Sequence, residues 1–284
     1  MNVSPVVYRP SIIGQFARIV IPILQSIFPA PVYKFIYNVL YNSYKLFLRW
    51  AYWFFVIKAR LSGDERKMLR AKLTKQLLPY TMGGRKALEN AFDVVVLAEE
   101  RNIPGAIVEC GVAEGGTAAM MALTSMEFAP ISRMKWFFDS YEGLPEPTSE
   151  DYENGKVGHF VRPLPKGSCL GTIEQVSYLF FNTLGFGPEE VVLVKGWFQN
   201  TVPIHRGEVE EIAVLRLDGD WYESTKIPME NFYPLVSPGG FVIVDDYATC
   251  FGSQKAVDEF RALYGIETPL TPDGRGGVWF EKPL

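Results

Sequence analysis

The sequence has few of the side chains that build zinc sites and disulfide frameworks. Among 284 residues there are two histidines, His159 and His205, and three cysteines, and no two cysteines form a CxxC pair. Three widely spaced cysteines argue against a disulfide scaffold and indicate a reducing, cytoplasmic location. A histidine-rich metal site is excluded as well, so any metal must be held mainly by oxygen, as in sites for Mg²⁺, Mn²⁺ and Ca²⁺.

Acidic residues are absent from the first 63 positions, which carry seven bases; the first carboxylate is Asp64. The whole chain has a net charge of −4, so the remainder, with 21 bases against 32 acids, carries about −11. An acidic remainder opposes a phosphate backbone, and no nucleic-acid partner is expected. We place a domain boundary at this change of composition, with a basic, aromatic, helical segment over 1–63 and a second domain over 64–284.

Long uncharged apolar runs are also missing from the N-terminal segment. A spanning helix needs about 20 mostly apolar residues, but four bases interrupt the second half of the segment and prolines at 22, 29 and 31 break the first half. We predict one or two helices within residues 1–60 that lie in a membrane interface, at the inner face of the membrane. Packing against the second domain or within a homo-oligomer is the alternative.

From Gly105 onward, strand and helix patterns alternate. Strands separated by helices predict an α/β fold with a doubly wound, mostly parallel sheet. A long segment from Glu142 to Gly171 is rich in Pro, Gly and charge, and loops of that length in a compact domain are usually functional, often lids. Buried strands are predicted over 106–110, 135–138, 191–194, 212–217, 241–244 and 278–281.

A glycine-rich turn follows the first of these strands, in IVECGVAEGGTAA. The spacing G-x-x-x-G-G over Gly111, Gly115 and Gly116, with Glu109 before it, differs from the dinucleotide pattern G-x-G-x-x-G. It suits a ligand that has an ammonium and a carboxylate group but no phosphate. Asp139 ends the next strand, where an acid can accept both hydroxyls of a ribose or cap a turn. Together the two features indicate a cofactor that contains adenosine.

Four aspartates end two further strands, Asp218 and Asp220 in LRLDGDWYEST and Asp245 and Asp246 in GGFVIVDDY. In extended chain Asp218 and Asp220 would point to the same side. Four carboxylates that converge at the ends of neighbouring strands repel one another unless a cation lies between them. The pattern therefore predicts a hard divalent ion, with helix capping as the alternative role for one or two of the acids.

These motifs, together with PYTMGGRKALEN, WFFDSYEGLPEPT and VKGWFQNTVP, resemble the macrocin O-methyltransferase family. Members of this family are class I, metal-dependent enzymes that use S-adenosylmethionine to methylate sugar hydroxyls of antibiotics. The resemblance covers roughly residues 80–261 and leaves out the first sixty. It implies a seven-stranded sheet, S-adenosylmethionine as cofactor and Mg²⁺ or Mn²⁺ as the metal.

The resemblance also implies a role for each matching residue. Asp218, Asp245 and Asp246 resemble the metal ligands, Asp218 also borders the cofactor, and Asp220 resembles the general base, with His205 as a weaker second candidate. The remaining cofactor contacts implied are Glu109, Gly111, Gly115 and Thr117 at the methionine end, Asp139 and Ser140 at the ribose, Trp197 or Phe198 at the adenine, and Tyr80, Thr81 and Met82 as a cover.

The expected function is transfer of a methyl group from S-adenosylmethionine to a hydroxyl of a sugar, a glycosylated natural product or a glycolipid. The divalent metal is expected to chelate two vicinal hydroxyls of this acceptor. A catechol-type small-molecule O-methyltransferase is the alternative within enzymes. The alternative outside enzymes is a non-catalytic, membrane-associated protein that binds S-adenosylmethionine. The retention of four mutually repelling acids, at 218, 220, 245 and 246, speaks against the non-catalytic protein.

Overall fold

The computed structural model describes residue 6 and residues 12–130, 132–160 and 164–284. Its centre is a seven-stranded sheet of order β3-β2-β1-β4-β5-β7-β6, in which β1 to β5 are parallel and β7 runs antiparallel to β5. This confirms the doubly wound, mostly parallel α/β fold. The strands are β1 (Ala106–Cys110), β2 (Lys135–Asp139), β3 (Val191–Lys195), β4 (Ile212–Leu217), β5 (Val236–Val244), β6 (Thr271–Pro272) and β7 (Val278–Glu281).

Helices cover both faces of this sheet. Successive strand residues alternate between two cores, so Ile107 packs with one helical layer and Val108 with the other. Both faces are apolar, as expected of a parallel sheet buried on each side. The helices are α1 (Ile12–Ile27), α2 (Ala30–Ala51), α3 (Trp53–Leu61), α4 (Glu65–Leu77), α5 (Gly84–Glu100), α6 (Gly116–Phe128), α7 (Ile173–Ser177), α8 (Phe198–Val209), α9 (Tyr222–Phe232) and α10 (Phe251–Leu263).

The order of the strands reverses between β1 and β4. The chain moves from β1 outward through β2 to β3, then returns to β4 on the other side of β1 and continues to β5. The helices that follow β1 and β4 therefore leave on opposite faces of the sheet and open a crevice above the carboxyl ends of these two strands. All four aspartates predicted to form the metal site follow β4 or β5, at this same edge.

Four elements differ from the sequence predictions. Helix α8, between β3 and β4, is not predicted, because Pro203 in its interior normally disfavours a helix. The apolar pattern over residues 172–184 predicts one helix, and the structure has a short α7 that continues as a π-helical turn, Tyr178–Thr183. Strand β5 also begins five residues before its predicted start, and the short edge strand β6 is not predicted.

The N-terminal segment forms three helices, α1 to α3, where one or two are predicted, and α1 continues through Pro22. None of the helices in the described ranges is long and apolar enough to cross a membrane. Tyr52 and Val56 are buried in the core, and the Tyr52 hydroxyl donates to Glu89 on α5. The end of the segment is thus attached to α4 and α5, while α1 and α2 expose many apolar side chains.

Candidate functional site

A cavity of about 560 Å³ lies at the carboxyl ends of β1, β2 and β4. Its floor includes Gly111 and Asp139, and one wall is formed by Trp197 and Phe198 after β3. The long loop, residues 142–171, contributes the side that faces Asp220. The cavity therefore brings part of the predicted cofactor set, Gly111, Asp139, Ser140, Trp197 and Phe198, together with Asp218 and Asp220.

The glycine loop is held in place by the Asp139 carboxylate. Asp139 Oδ2 accepts hydrogen bonds from the backbone N–H of Val112 (2.7 Å) and Ala113 (2.9 Å), and Oδ1 accepts from Tyr141 N–H (2.6 Å). Burial raises the pKa of Asp139, and these N–H donors oppose the rise. The predicted turn-capping role is thus present, and it leaves at most one lone pair, on Oδ1, for the predicted ribose contact.

Gly111 allows the end of β1 to lie directly against the end of β4. Its φ is +100°, and a Cβ atom at this position would lie 1.8 Å from the carbonyl oxygen of Asp218. No side chain fits such a contact, so any larger residue would displace Asp218. This requirement holds the cofactor loop and the first of the four aspartates together.

Glu109 lies behind the glycine loop and has no exposed surface. Its Oε1 accepts from the Thr117 hydroxyl (2.6 Å) and from Arg216 Nη1 (2.6 Å), while Oε2 has no hydrogen-bond partner among the described residues. Burial raises the pKa of Glu109 to about 7, and the guanidinium of Arg216 works against that rise. Contact between Glu109 and the methionine end of a cofactor stays a prediction, and in this structure the carboxylate is the partner of Arg216.

The other predicted cofactor residues divide into two groups. Ser140 lines the cavity, and its hydroxyl accepts from Glu142 N–H (3.0 Å) and donates to the Gly143 carbonyl (2.9 Å), which starts the long loop. The predicted cover lies over the start of α6, because a Cβ atom on Gly116 would be 2.5 Å from the Tyr80 carbonyl oxygen. Tyr80, Thr81 and Met82 are not among the described residues that line the cavity.

The four aspartates converge as the sequence predicts. Oxygens of Asp218, Asp245 and Asp246 lie within 4.8 Å of one another, and so do ligand atoms of Asp220, Asp246 and Cys250. The convergence has a different local cause from the one predicted, because Asp220 lies beyond the strand with φ +59° and is not extended. Burial and the charge of Asp218 raise the pKa of Asp220 to about 7. Burial and the charges of Asp220 and Asp218 raise the pKa of Asp246 well above its ordinary value.

Arg216 is the functional residue that the sequence analysis misses. Its guanidinium is 1% exposed and donates to Glu109 (2.6 Å), Asp218 (2.7 Å) and Asp245 (2.5 Å). Glu109 and Arg216 are register partners on β1 and β4, so the pair forms across adjacent strands. Burial disfavours the charged guanidinium, but Asp218 and Glu109 outweigh it and raise the pKa of Arg216. One buried cation thus connects the cofactor side of the site with the metal side.

The acids fit a divalent ion, with one qualification from the arginines. Asp246 Oδ2 is buried and has no hydrogen-bond partner among the described residues, and all the predicted ligand atoms are carboxylate oxygens, which Mg²⁺ and Mn²⁺ prefer. Asp245 differs from Asp218 and Asp246, because both of its oxygens accept hydrogen bonds from arginines. Oδ1 accepts from Arg216, and Oδ2 accepts from Arg275. An ion would therefore compete with Arg275 for Asp245, whereas Asp246 already presents a free oxygen.

His205 lies outside the cavity. His205, the weaker candidate for the base, is on α8, where its ring bonds Glu208 (3.1 Å) and packs near Trp136 and Phe138. It is not among the described residues that line the cavity. The position of His205 does not support the second candidate, and Asp220 lines the cavity as the first candidate must.

The long loop is attached to the site through Asp151. Its Oδ1 accepts from Tyr222 N–H at the start of α9 (2.6 Å), and its Oδ2 accepts from Thr148 N–H (2.7 Å). Helix capping is the alternative role predicted for one or two of the four aspartates, but at the start of α9 Asp151 is the acceptor. Thr148 and Asp151 form a capping box on the short turn Ser149–Asp151, and this local pattern does not indicate the contact with Tyr222.

Comparison with known proteins supports the family resemblance. Residues 54–282 match the family model described as Macrocin-O-methyltransferase (TylF). The chain is 36% identical over 203 residues to demethyldecarbamoylnovobiocin O-methyltransferase of Streptomyces niveus, covering 72% of this chain and 76% of that protein. It is 37% identical over 202 residues to 8-demethyl-8-(2,3-dimethoxy-alpha-L-rhamnosyl)-tetracenomycin-C 4'-O-methyltransferase of Streptomyces olivaceus, covering 70% and 75%. The structure of the O-methyltransferase NovP superposes with a TM-score of 0.64 at 35% identity, over 72% of this chain and 83% of that one.

Proposed function

The chain belongs to the macrocin-O-methyltransferase family and is an S-adenosylmethionine-dependent O-methyltransferase, and we propose that its acceptor is a sugar hydroxyl of a glycosylated small molecule or glycolipid. The observation that supports this acceptor is that one cavity is lined both by Asp139, from the predicted cofactor set, and by the acidic side chains Asp218 and Asp220. Both the methyl donor and a polar acceptor can thus meet in one space.

Asp220 is the proposed general base. It is buried and lines the cavity, and its Oδ1 accepts a hydrogen bond from Cys250 Sγ (3.7 Å), whereas the guanidinium groups of Arg216 and Arg275 donate to Asp245. A carboxylate in this position can accept the proton of an acceptor hydroxyl. Burial and the charge of Asp218 raise the pKa of Asp220, which is the direction that a general base requires. The oxygen that gives its proton to Asp220 would then attack the methyl group in line, while the methyl–sulfur bond breaks and S-adenosylhomocysteine leaves, so much of the acceleration comes from positioning.

Asp218, Asp245 and Asp246 would hold a divalent ion, Mg²⁺ or Mn²⁺. Such an ion, when bound, polarises a pair of vicinal hydroxyls and lowers the pKa of the one that reacts. The Asp218 side chain lines the cavity and is 28% exposed, so it is accessible to an acceptor, whereas Asp246 is buried. Arg216 keeps Asp218 and Asp245 oriented, because it donates to both.

The cofactor would lie between the glycine loop and the aromatic wall. Gly111, which lines the cavity, would mark the methionine end together with Gly115 and Thr117, which are not among its described lining residues, and Asp139 with Ser140 would mark the ribose. The rings at 197 and 198 line the same cavity and offer apolar surface for the adenine. The long loop is proposed to exclude water from the cavity. Its Pro145 carbonyl accepts a hydrogen bond from Trp221 Nε1 (3.1 Å).

The test is a methyl-transfer assay with the purified full chain, S-adenosylmethionine and acceptors of three kinds: glycosides with vicinal hydroxyls, the same glycosides lacking one hydroxyl, and catechols. The proposal expects turnover only on the vicinal glycosides, strengthened by Mg²⁺ and abolished by EDTA. Turnover on catechols alone would establish the alternative enzyme class. Binding of S-adenosylmethionine by calorimetry, measured in parallel, separates a wrong acceptor from a protein that does not take the cofactor.

We also propose that α1 to α3 rest on a membrane surface. The support is exposure: Phe35, Trp50 and Phe54 expose 69%, 74% and 83% of their surface. Apolar surface on basic helices that are too polar to span a membrane suits an interfacial position. Packing between copies in a homo-oligomer, the alternative from the sequence, would cover the same surface. Sedimentation with vesicles, compared with the oligomeric state in solution, decides between the two.

A further inference from the structure

A second cavity, of about 520 Å³, lies between α2, α3 and α4, far from the catalytic residues in sequence and fold. Four bases line it, and no acid does: Arg49 from α2, Arg60 from α3, and Lys72 and Lys75 from α4. Apolar side chains, including Trp53, complete the lining, and the Lys75 ammonium lies 3.7 Å from the centre of the Trp53 ring. We call these residues the basic cavity.

The bases of this cavity differ from their neighbours on α4. Arg66, Lys67 and Arg70 each pair with a carboxylate, at 2.9, 2.9 and 2.6 Å. Among the residues that the structure describes, none of the four bases of the basic cavity forms such an ion pair. A cluster of four cations without acids carries a repulsion that an anionic ligand would remove.

The surface beside the basic cavity is apolar. Phe54 and Leu61 are each 83% exposed on α3, and Ile57, which also lines the cavity, is 49% exposed. A free phosphate would satisfy the bases but leave these side chains in water. An anionic lipid in a bilayer satisfies both, because its headgroup meets the cations while the apolar side chains enter the interface.

We propose that the basic cavity binds the phosphate-bearing headgroup of an anionic phospholipid, which fixes how the enzyme sits on the membrane. This inference rests on the membrane contact proposed above and adds the site and the lipid class. Symmetric pairing of two copies through this surface would bring the unpaired cations together, so a bilayer is the better partner. This orientation places α3 against the membrane.

The experiment measures binding of the full chain to vesicles of phosphatidylcholine with and without phosphatidylglycerol. The variant R60Q/K72Q removes two charges from the basic cavity. Its matched control, K58Q/K67Q, removes two charges from the same two helices at positions that do not line the cavity. Since a base near an anionic surface contributes about 5-fold in affinity, R60Q/K72Q should lose about 30-fold on phosphatidylglycerol vesicles. The control should lose clearly less, and calorimetric binding of S-adenosylmethionine should be unchanged in both.

The outcomes separate the site from the membrane contact. Equal losses in both double variants would overturn the headgroup site and leave a general attraction to anionic membranes. Full binding to pure phosphatidylcholine would overturn the requirement for an anionic lipid. If the unaltered chain binds neither kind of vesicle, the proposed membrane contact is wrong, and the proposed methyl-transfer activity is not affected by that result. If inorganic phosphate competes fully with the vesicles, the occupant is free phosphate and the lipid assignment is wrong. If F54S converts an oligomer to a monomer and leaves vesicle binding unchanged, the occupant is a second copy of the chain and the lipid assignment is again wrong.

Discussion

Replacement of Arg216 by methionine tests whether one buried cation supports both halves of the active site. The guanidinium is 1% exposed and serves three carboxylates. Methionine keeps much of the length and apolar volume but leaves these acids without their common partner. The loss of Arg216 should destabilise the three carboxylates to different degrees, because their other partners and their exposure to solvent differ.

The size of the effect follows from those surroundings. Asp218 is 28% exposed and can be hydrated, and Asp245 keeps its second partner, Arg275. Glu109 is fully buried and keeps only the Thr117 hydroxyl, so it accounts for most of the loss. Removing one partner of a buried ion pair costs about 3–5 kcal/mol, against a typical total stability of about 5–15 kcal/mol. The variant should fold, with a much lower free energy of unfolding.

The loss should also depend on pH. Burial raises the pKa of Glu109 to about 7 from its ordinary 4.5, so this side chain takes up a proton on folding. A group of this kind contributes full stability below its ordinary pKa and loses it as the pH rises through the folded value. At about pH 6 Glu109 is largely protonated and needs Arg216 less, whereas at about pH 8 it is charged and depends on it. The deficit of Arg216→Met should therefore be larger at the higher pH.

The assay is urea unfolding at the two pH values, with Arg101→Met as the matched control. Arg101 forms an equally short pair, 2.6 Å with Glu281, but the two side chains are 46% and 37% exposed. A surface pair contributes about 1 kcal/mol or less, so the control should change little. Arg216→Lys should recover part of the stability, because an ammonium keeps the charge but lacks the planar fork. A loss for Arg216→Met that equals the control and does not vary with pH would refute the reasoning.

Four further predictions concern single side chains in and around the cavity. Asp220→Asn should lower turnover by about 10²–10⁴-fold with cofactor affinity retained, and normal turnover would mean that another base acts. Asp246→Ala should lose the stimulation by Mg²⁺, measured against EDTA-treated enzyme; undiminished stimulation would remove Asp246 from the ligand set. His205→Ala should keep turnover within a few-fold, since His205 does not line the cavity among the described residues, and a large loss would restore it as a candidate base. Asp151→Ala should cost about 1–3 kcal/mol in urea unfolding and speed proteolysis within residues 142–171, because the Tyr222 N–H loses its acceptor, and an unchanged cleavage rate would contradict that anchor.

The fold was predictable because its signals are local. Apolar runs bounded by glycine and aspartate mark β1, β2 and β4, and the alternation with helices determines the parallel sheet. Helix α8 escapes this reasoning because Pro203 lowers its helical propensity, while packing of Val202 and Val209 on the sheet stabilises it. Tertiary contacts decide such an element, and a single sequence does not display them.

The sequence allowed the acidic residues of the site to be predicted, but not the buried arginine that pairs with them. Asp218, Asp220, Asp245 and Asp246 follow strand ends, so their convergence can be expected from the order of elements alone. Arg216 sits inside a strand whose other residues are apolar, and its partners come from three separate parts of the chain. A lone base within a buried strand, opposite the acid of a glycine loop, is the pattern that could have indicated it.

The attachment of the long loop at Asp151 restricts how this enzyme could be re-engineered for new acceptors. The same carboxylate that holds the loop also fills the space beside Gly252, where a Cβ atom would lie 1.9 Å from Asp151 Oδ1. A loop transplanted from a relative would therefore work only if it brought an acid to position 151 and met a glycine at 252. The loop, the first turn of α9 and the start of α10 form one exchangeable module, and recombination boundaries chosen at the ends of the loop alone would divide it.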